Sequence, residues 1–327
     1  MGGVVSQLCV ILCQHKCSAA SVASSLTFFP PDPPLYELRE GLDGRRIMVL
    51  DPLIPDHPCG GLRIVTLRTR RGSLINGFLF LQPGAKYTII FSHGNAADCG
   101  VMRERYMQLR ACLDCNVLGY DYTGYGGSQG VPSEAHTYSD LEAAYDYLVA
   151  EGVCSNPAEQ IILFGQSVGS GPSVKLASTK KRPVRGLILH SPIMSGLRVL
   201  TMSRGPLACC DIYPNISRIR RVRAPVLVIH GDADDQVHFE HGARLHDAVP
   251  EQFQTAPCWV RGGGHNDIVE RFPDQFFGAL RGYVKSLAQA DEPFFKVEVG
   301  DGARNGPGPS FVSDEGGVQR EMSSPVR

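Results

Sequence analysis

The chain has 327 residues, of which 43% are hydrophobic and 20% are charged, and its formal net charge is -1. A globular protein of this length and composition can bury one large core or two small ones. The balance of 32 basic and 33 acidic residues gives no overall attraction to nucleic acid, so no nucleic-acid partner is predicted. Two short basic runs, residues 180–182 and 218–223, are interpreted as loops or strand starts rather than phosphate-binding sites.

The 11 cysteines lack the dense spacing of a disulfide-bonded secreted domain, and no cleavable signal sequence is evident. These features predict a reducing, cytosolic environment. Cys112 and Cys115 form a C-x-x-C pair without a second pair or a histidine cluster at zinc-ligand spacing. They are therefore interpreted as buried structural thiols, and no metal site is predicted.

The amino terminus carries two patterns that are typical of lipid attachment. Residues 1–6 fit M-G-x-x-x-[ST], in which myristate is joined to Gly2. Cys9, Cys13 and Cys17 follow at four-residue spacing, which places three thiols on one face of a helix as candidate S-acylation sites. One myristoyl chain binds a membrane only marginally, so a second acyl chain is needed for stable anchoring. The alternative is a chance match followed by a short apolar helix that packs on the domain.

No run of about 18 apolar residues is present, so the predicted protein is peripheral to the membrane. We expect it at the cytosolic face of the plasma membrane or of endosomes, held to the membrane surface by its amino-terminal acyl chains. Residues 1–34 are assigned to the anchor and a proline-rich linker, and residues 35–290 to one folded domain. Residues 192–215 are interpreted as a lid-like insertion, and residues 291–327 as a disordered tail because they are rich in Gly, Pro and Ser.

Within the domain, strand patterns alternate with helix patterns. A hairpin is predicted from residues 63–69 and 74–81, and further strands at residues 87–92, 116–120, 160–164, 184–190 and 225–230. Helices are predicted at residues 101–113, 133–151 and 174–179, and a final helix ends near residue 290. This alternation predicts a mostly parallel central sheet with helices on both faces.

Ser167 lies in the motif Gly-Gln-Ser-Val-Gly, which follows an apolar strand pattern and precedes a helix pattern. A strand-to-helix elbow of this kind exposes a serine hydroxyl, and its glycines avoid collisions with neighbouring backbone. Ser167 is therefore the candidate nucleophile. The motif alone is weak, because short matches arise by chance in a chain with 36 glycines.

A serine nucleophile needs a histidine to accept its proton and a carboxylate to orient that histidine. Asp234 follows a late strand and is the candidate acid, while Asp232 and Asp235 remain alternatives on spacing alone. His265 follows three consecutive glycines and precedes the last helix, which is the position expected for the base. The candidates follow one another in the order Ser, Asp, His, which is one of the chain orders in which such triads occur.

The oxyanion of an acyl-transfer intermediate needs two N–H donors. Val168, directly after the candidate nucleophile, supplies one by position, and Asn95 in the loop after an early strand is the candidate second donor. His93 in the same loop is interpreted as a structural brace of the turn rather than as a base.

Five sequence blocks together resemble the α/β-hydrolase superfamily, and more closely the membrane-associated depalmitoylases called α/β-hydrolase-domain-containing protein seventeen. The blocks are residues 91–98, 121–126, 165–169, 190–196 and 264–268. This resemblance implies the α/β-hydrolase fold and supports the triad roles of Ser167, Asp234 and His265. It also implies hydrolysis of thioesters that join palmitate to cysteines of S-acylated membrane proteins. Such a reaction requires no metal or organic cofactor.

The chain departs from this family in three places. The family begins with a dense cysteine cluster, whereas this chain has three spaced cysteines behind a myristoylation-like start. Residues 235–238 are less acidic than the family version, and the polar tail has no counterpart. A carboxylesterase or a monoacylglycerol-type lipase would use the same residues on an oxygen ester, and a non-catalytic membrane adaptor is a third hypothesis.

Overall fold

A computed structural model describes Ser24, Gly44 and residues 27–41, 46–50, 61–201 and 211–289. The predicted lipidation sites Gly2, Cys9, Cys13 and Cys17 lie outside the described residues, as does the predicted tail at residues 291–327. No helix among the described residues is both long enough and apolar enough to cross a bilayer.

The described residues form strands and helices that alternate along most of the chain. The strands are β1 Glu37–Glu40, β2 Arg46–Val49, β3 Leu62–Arg68, β4 Leu74–Phe80, β5 Thr88–Ser92, β6 Asn116–Tyr120, β7 Ile161–Gln166, β8 Gly186–His190, β9 Val226–Gly231 and β10 Cys258–Val260. The helices are α1 Cys99–Leu113, α2 Glu134–Ala150, α3 Pro157–Gln160, α4 Ser170–Ala177, α5 Gly196–Thr201, α6 Asn215–Arg218, α7 Glu240–Ala248, α8 Ile268–Arg271 and α9 Pro273–Gln289. Short 3-10 turns occupy Ser167–Gly169, Ile219–Arg221 and Glu251–Phe253.

Eight of the strands form one central sheet in the order β10-β9-β8-β7-β5-β6-β4-β3. The six strands from β10 to β6 run parallel, whereas β4 is antiparallel to both β6 and β3. The predicted mostly parallel sheet is therefore confirmed. Because parallel neighbours end at the same edge, the carboxyl ends of β5, β7, β8 and β9 bring their following loops together there.

Alternate residues of each central strand enter separate cores on opposite faces of the sheet, as the two-residue period of a strand requires. In β7, Leu163 packs in one core and Phe164 in the other, where its ring stacks on Phe91 of β5 at 4.4 Å between centroids. Helices α2, α4 and α7 cover the first face, and α1 and α9 cover the second. The predicted helices on both faces are confirmed.

The described ends of the predicted insertion at residues 192–215 are packed against the domain. Ile193, Met194 and Ile212 are buried, and the main-chain N–H of Met194 donates to His241 Nδ1 at 3.0 Å. Between them lies α5, and residues 202–210 are outside the described part of the chain. The role of this segment as a lid stays a prediction.

Contacts with the domain begin ahead of residue 35, within the segment assigned to a linker. Phe28 is only 6% exposed, and its ring meets that of Tyr213 edge-on at 6.2 Å. The main-chain N–H of Leu35 donates to Asp98 at 2.7 Å. We call residues 27–36 the strap, because they lie along the loop that follows β5.

Candidate functional site

Ser167 lies directly after β7 with a backbone φ of +50°, a conformation that non-glycine residues rarely adopt. The two glycines of the motif are required by close backbone contacts. A Cβ atom on Gly169 would lie 2.1 Å from the carbonyl oxygen of Ser92, and one on Gly165 would lie 2.7 Å from that of Gly169. The sequence therefore folds here into a tight elbow with the serine at its apex.

Ser167, His265 and Asp234 form a continuous hydrogen-bonded chain across the carboxyl edge of the sheet. His265 Nε2 lies 3.0 Å from Ser167 Oγ, and His265 Nδ1 lies 2.7 Å from Asp234 Oδ2. Because a carboxylate only accepts, Nδ1 carries the proton and Nε2 is left as an acceptor toward the serine hydroxyl. The structure thus brings all three predicted triad residues together, although they are far apart in sequence.

Asp234 is held by four donors. Its Oδ1 accepts from the main-chain N–H groups of Gln236 at 3.0 Å and Val237 at 2.7 Å. Its Oδ2 lies 3.2 Å from His230 Nε2 as well as 2.7 Å from His265 Nδ1. Burial raises the pKa of Asp234, but the hydrogen bonds from His230, His265 and the main chain outweigh it and hold that pKa well below its usual range. The carboxylate therefore stays charged and oriented toward His265.

The two alternative acids lie elsewhere. Asp232 Oδ1 accepts from the main-chain N–H of Gly262 at 2.6 Å, so this side chain closes a turn. Asp235 is exposed. Among the three carboxylates in this loop, Asp234 is the one in contact with His265.

The side chain of Asn95 is fully engaged with the strap and its surroundings. Its Oδ1 accepts from the hydroxyl of Tyr125 at 2.7 Å and from the N–H of Phe29 at 3.0 Å, and its Nδ2 donates to the carbonyl of Thr27 at 2.6 Å. The main-chain N–H of Asn95 is thus the group of this residue that can serve as an oxyanion donor. Val168, the other predicted donor, is buried directly after Ser167.

His93, predicted as a brace, is completely buried. Its Nδ1 lies 2.8 Å from the carbonyl oxygen of Gly94, and its ring lies 4.3 Å from that of Tyr122. Burial lowers the pKa of His93 to about 4, although its hydrogen bond to Gly94 and the nearby Asp98 act in the other direction. The ring is therefore neutral near pH 7, and it packs behind the loop rather than in the cavity.

A cavity of about 620 Å³ opens beside Ser167, and its lining contains an apolar set and a polar set of side chains. We call the apolar set the apolar wall; it comes from the loop after β5 and the start of α1: Ala96, Ala97, Val101 and Met102. We call the charged and amide set the polar wall, and it adjoins the first set on α1: Glu104, Arg105, Gln108, Gln236, Asn266 and Glu270. Arg105 donates to Glu270 at 2.7 Å and so joins α1 to α8.

Three residues of the site were not predicted. His230 Nε2 faces both Asp234 and the carbonyl of Val237, at 3.2 and 2.9 Å. The signal for it is a histidine that ends an apolar strand four residues before the acid. His190 and Arg105 line the cavity, but no sequence pattern marks them. Burial, with the nearby charge of Arg105, lowers the pKa of His190 to about 3, so this ring is neutral.

Among the residues that the structure describes, no group of three or more His, Cys, Asp or Glu side chains is arranged to hold a metal ion. The C-x-x-C pair is reduced: Cys115 is buried, whereas Cys112 is only partly buried. Burial raises the pKa of Cys115 to about 12.

Comparison with known proteins shows similar sequences over most of the chain. A family described as "Serine aminopeptidase, S33" matches residues 83–209. The α/β-hydrolase domain-containing protein aho-3 of Caenorhabditis elegans is 40% identical over 290 residues, which cover 86% of this chain and 83% of the relative. The α/β-hydrolase domain-containing protein 17B of Homo sapiens is 38% identical over 269 residues, covering 80% of this chain and 91% of the relative.

Solved structures share the fold at much lower identity. The esterase Pf2001 of Pyrococcus furiosus aligns with a TM-score of 0.58 and 18% identity, covering 69% of this chain and 92% of the esterase. The esterase RhEst1 of Rhodococcus sp. ECU1013 aligns with a TM-score of 0.55 and 21% identity, covering 68% and 99%. The predicted α/β-hydrolase fold is confirmed.

Proposed function

Because the chain belongs to the family of α/β-hydrolase domain-containing proteins 17, and is therefore a hydrolase, we propose that it is a serine hydrolase that acts on S-acylated proteins. It removes palmitate or a similar acyl group from cysteine. The observation that carries this proposal is the hydrogen-bonded chain from Ser167 through His265 to Asp234 at the mouth of a cavity.

The first half-reaction transfers the acyl group to the enzyme. Ser167 Oγ attacks the thioester carbonyl carbon while His265 Nε2 accepts the hydroxyl proton. The resulting imidazolium lies beside the charged carboxylate of Asp234, which stabilises it. The main-chain N–H groups of Val168 and Asn95 face the oxyanion. When the carbon–sulfur bond breaks, His265 returns the proton to the cysteine sulfur, and the acyl group remains as an ester on Ser167.

The second half-reaction releases the fatty acid. A water molecule attacks the ester carbonyl carbon and gives a proton to His265 Nε2. The bond between the carbonyl carbon and Ser167 Oγ breaks, and the proton returns to Oγ. The enzyme is restored, and the products of the full cycle are a cysteine thiol and a free fatty acid.

The two walls of the cavity fit the two parts of an acylated cysteine. An alkyl chain gains about 0.8 kcal/mol per buried methylene group on an apolar wall and nothing on a charged one. The acyl chain therefore lies along Ala96, Ala97, Val101 and Met102, and the polypeptide lies along the polar wall. Val101 is 56% exposed, so the apolar wall continues to the protein surface.

Membrane attachment through Gly2 and through Cys9, Cys13 and Cys17 is part of the proposal. The strap that follows these residues is fixed to Asn95, which itself lines the cavity. Phe29 in the strap is 55% exposed. In an enzyme anchored in this way, the mouth of the cavity faces the cytosolic side of the membrane. The acyl chains of its substrates are inserted in that membrane.

The proposal is tested with a fluorophosphonate probe and an S-palmitoylated peptide. The wild-type chain should be labelled and should release the thiol, and Ser167→Ala should lose both activities. Labelling that persists in Ser167→Ala would sink the assignment of the nucleophile. Faster turnover of monoacylglycerols than of the acyl-cysteine peptide would overturn the substrate class and favour the lipase alternative.

A further inference from the structure

Residues from both of the short basic runs that the sequence attributes to loops line one cavity in the folded protein. This second cavity has a volume of about 620 Å³. Four cationic residues line it, one from the segment after α4 and three from the segment before β9: Lys180, Arg220, Arg221 and Arg223. Cationic residues about 40 positions apart in sequence thus line the same cavity. Neither basic run by itself predicts this cavity.

Within the described part of the chain, none of these four cations forms an ion pair, and all four are exposed. Neighbouring cations on the same two segments behave differently: Arg182 pairs with Asp146 at 2.7 Å, and Arg218 lies 3.7 Å from Glu134. Because the net charge of the whole chain is only -1, the positive field is a local property of this cavity.

The floor of the cavity is apolar. Val184, Val222 and Ala224 line it and are buried, and Phe253 lies at its side. A low-dielectric floor strengthens the attraction between the surrounding cations and an anion above it. The volume falls in the range of small-molecule sites, about 300 to 1,000 Å³.

We propose that this cavity is a binding site for a soluble organic polyphosphate. Arginine guanidinium groups donate paired hydrogen bonds to phosphate oxygens, and three arginines with one lysine provide charge for two or more phosphate groups. The apolar floor takes the carbon skeleton of the ligand. The charge of this cavity does not depend on the chemistry at Ser167, whereas the choice of a soluble ligand rests on the membrane attachment in the proposed function.

The placement of the cavity favours a soluble ligand over a lipid headgroup. It lies at the amino ends of β8 and β9, whereas Ser167 and the strap lie at the carboxyl ends. A strand of the length of β8 separates the two ends by about 17 Å. A bilayer reached through the strap would face the carboxyl ends, so the second cavity would open toward the cytosol.

The test measures binding of myo-inositol 1,4,5-trisphosphate to the full-length chain by calorimetry near physiological salt. The variant Arg221→Glu with Arg223→Glu should bind at least about tenfold more weakly. The matched control is Arg281→Glu with Lys285→Glu, which makes the same charge change at exposed positions of α9 and should bind like wild type. Circular dichroism and fluorophosphonate labelling confirm that each variant is folded.

The same proteins are mixed with vesicles that contain phosphatidylinositol bisphosphate. Binding to these vesicles without binding to the soluble trisphosphate would overturn the proposal in favour of a membrane site. No binding to either probe, or equal weakening in both double variants, would overturn it as well.

Discussion

Asp234 gathers donors from two histidines and two main-chain N–H groups, and this number of donors explains why one carboxylate among three neighbours serves His265. Charge on Asp234 is what fixes the proton on His265 Nδ1. The sequence favours Asp234 as the acid, but spacing alone does not exclude Asp232 and Asp235 from the choice. That choice depends on a turn whose hydrogen bonds are set by the fold.

Replacing Asp234 by asparagine should therefore lower kcat by about 10³ to 10⁴ with little change in KM, because the amide can favour the wrong histidine tautomer. Steady-state kinetics on an S-palmitoylated peptide would measure this. Asp235→Asn, at an exposed position, serves as the control and should keep wild-type activity. Wild-type activity in Asp234→Asn, together with loss of activity in Asp235→Asn, would contradict the assignment of Asp234 as the acid.

Glu104 should influence which residues are preferred beside the acylated cysteine. It lines the polar wall, is exposed, and has no ion pair among the described residues, whereas Arg105 beside it is paired with Glu270. A basic residue next to the acylated cysteine should therefore be favoured. In Glu104→Lys, the ratio of kcat/KM for lysine-flanked over glutamate-flanked peptides should fall roughly two- to fivefold, the range of an exposed ion pair.

The matched control for Glu104→Lys is Glu159→Lys, which makes the same charge change in α3 at the other end of the sheet. Its peptide preference should equal that of wild type. An unchanged ratio in Glu104→Lys would place the polypeptide elsewhere than on the polar wall.

Among the elements, the strap is the one whose packing on the domain the sequence does not indicate. The prolines at residues 30–34 predict an extended segment, whereas the backbone bends at residues 32, 33 and 35. Proline patterns say nothing about whether a segment packs on a domain. The buried ring of Phe28 and the hydrogen bonds between Asn95 and the strap hold this segment on the domain. By contrast, β5 to β9 and helices α1 and α2 were predicted within about two residues, because long buried strands and periodic helices are visible in sequence. Strand β10 has only three residues, too few to show a period.

Phe28→Ala should lower the free energy of unfolding by about 3 kcal/mol, since it removes a buried aromatic side chain from contact with Tyr213. Urea unfolding followed by circular dichroism would measure the change. Phe29→Ala is the matched control: its side chain is 55% exposed, and its unfolding free energy should stay within about 0.5 kcal/mol of wild type. Equal effects of the two substitutions would mean that the strap does not pack as described.

For the molecule as a whole, stability should depend on pH through a buried carboxyl group behind the site. Asp121 accepts from the hydroxyl of Tyr36 at 2.5 Å and from the N–H of Cys99 at 2.8 Å. Burial raises the pKa of Asp121 to about 7, although these hydrogen bonds lower it. Between about pH 4 and 7 the folded protein binds a proton that the unfolded chain releases, so unfolding free energy falls as pH rises, by up to roughly 1.4 kcal/mol per unit.

Asp121→Asn removes this dependence, and any contribution from other groups is common to both proteins. The stability advantage of wild type over the variant should therefore shrink between pH 5 and pH 8 in urea unfolding experiments. An advantage that stays constant between pH 5 and pH 8 would show that Asp121 is already charged in the folded protein at pH 5.

The central sheet has one cavity at each of two opposite edges. The carboxyl edge gathers Ser167, His265, Asp234 and the strap, and the amino edge gathers four cations that have no ion pair among the residues the structure describes. The motifs of the first edge could be predicted because strand order and loop position follow from the fold class. The cluster of cations at the amino edge could not be predicted, because no sequence motif describes two basic loops that come together only after folding.

Locating the acyl group on the enzyme during turnover tests whether Ser167 forms the acyl-enzyme intermediate. The full-length chain is mixed with an S-palmitoylated peptide, quenched in acid within a turnover, digested, and mapped by mass spectrometry. Our account predicts a transient palmitoyl ester on Ser167 that is absent in Ser167→Ala and that disappears as fatty acid is released. Thiol release by Ser167→Ala at the wild-type rate, or a transient acyl group on any other residue, would contradict it.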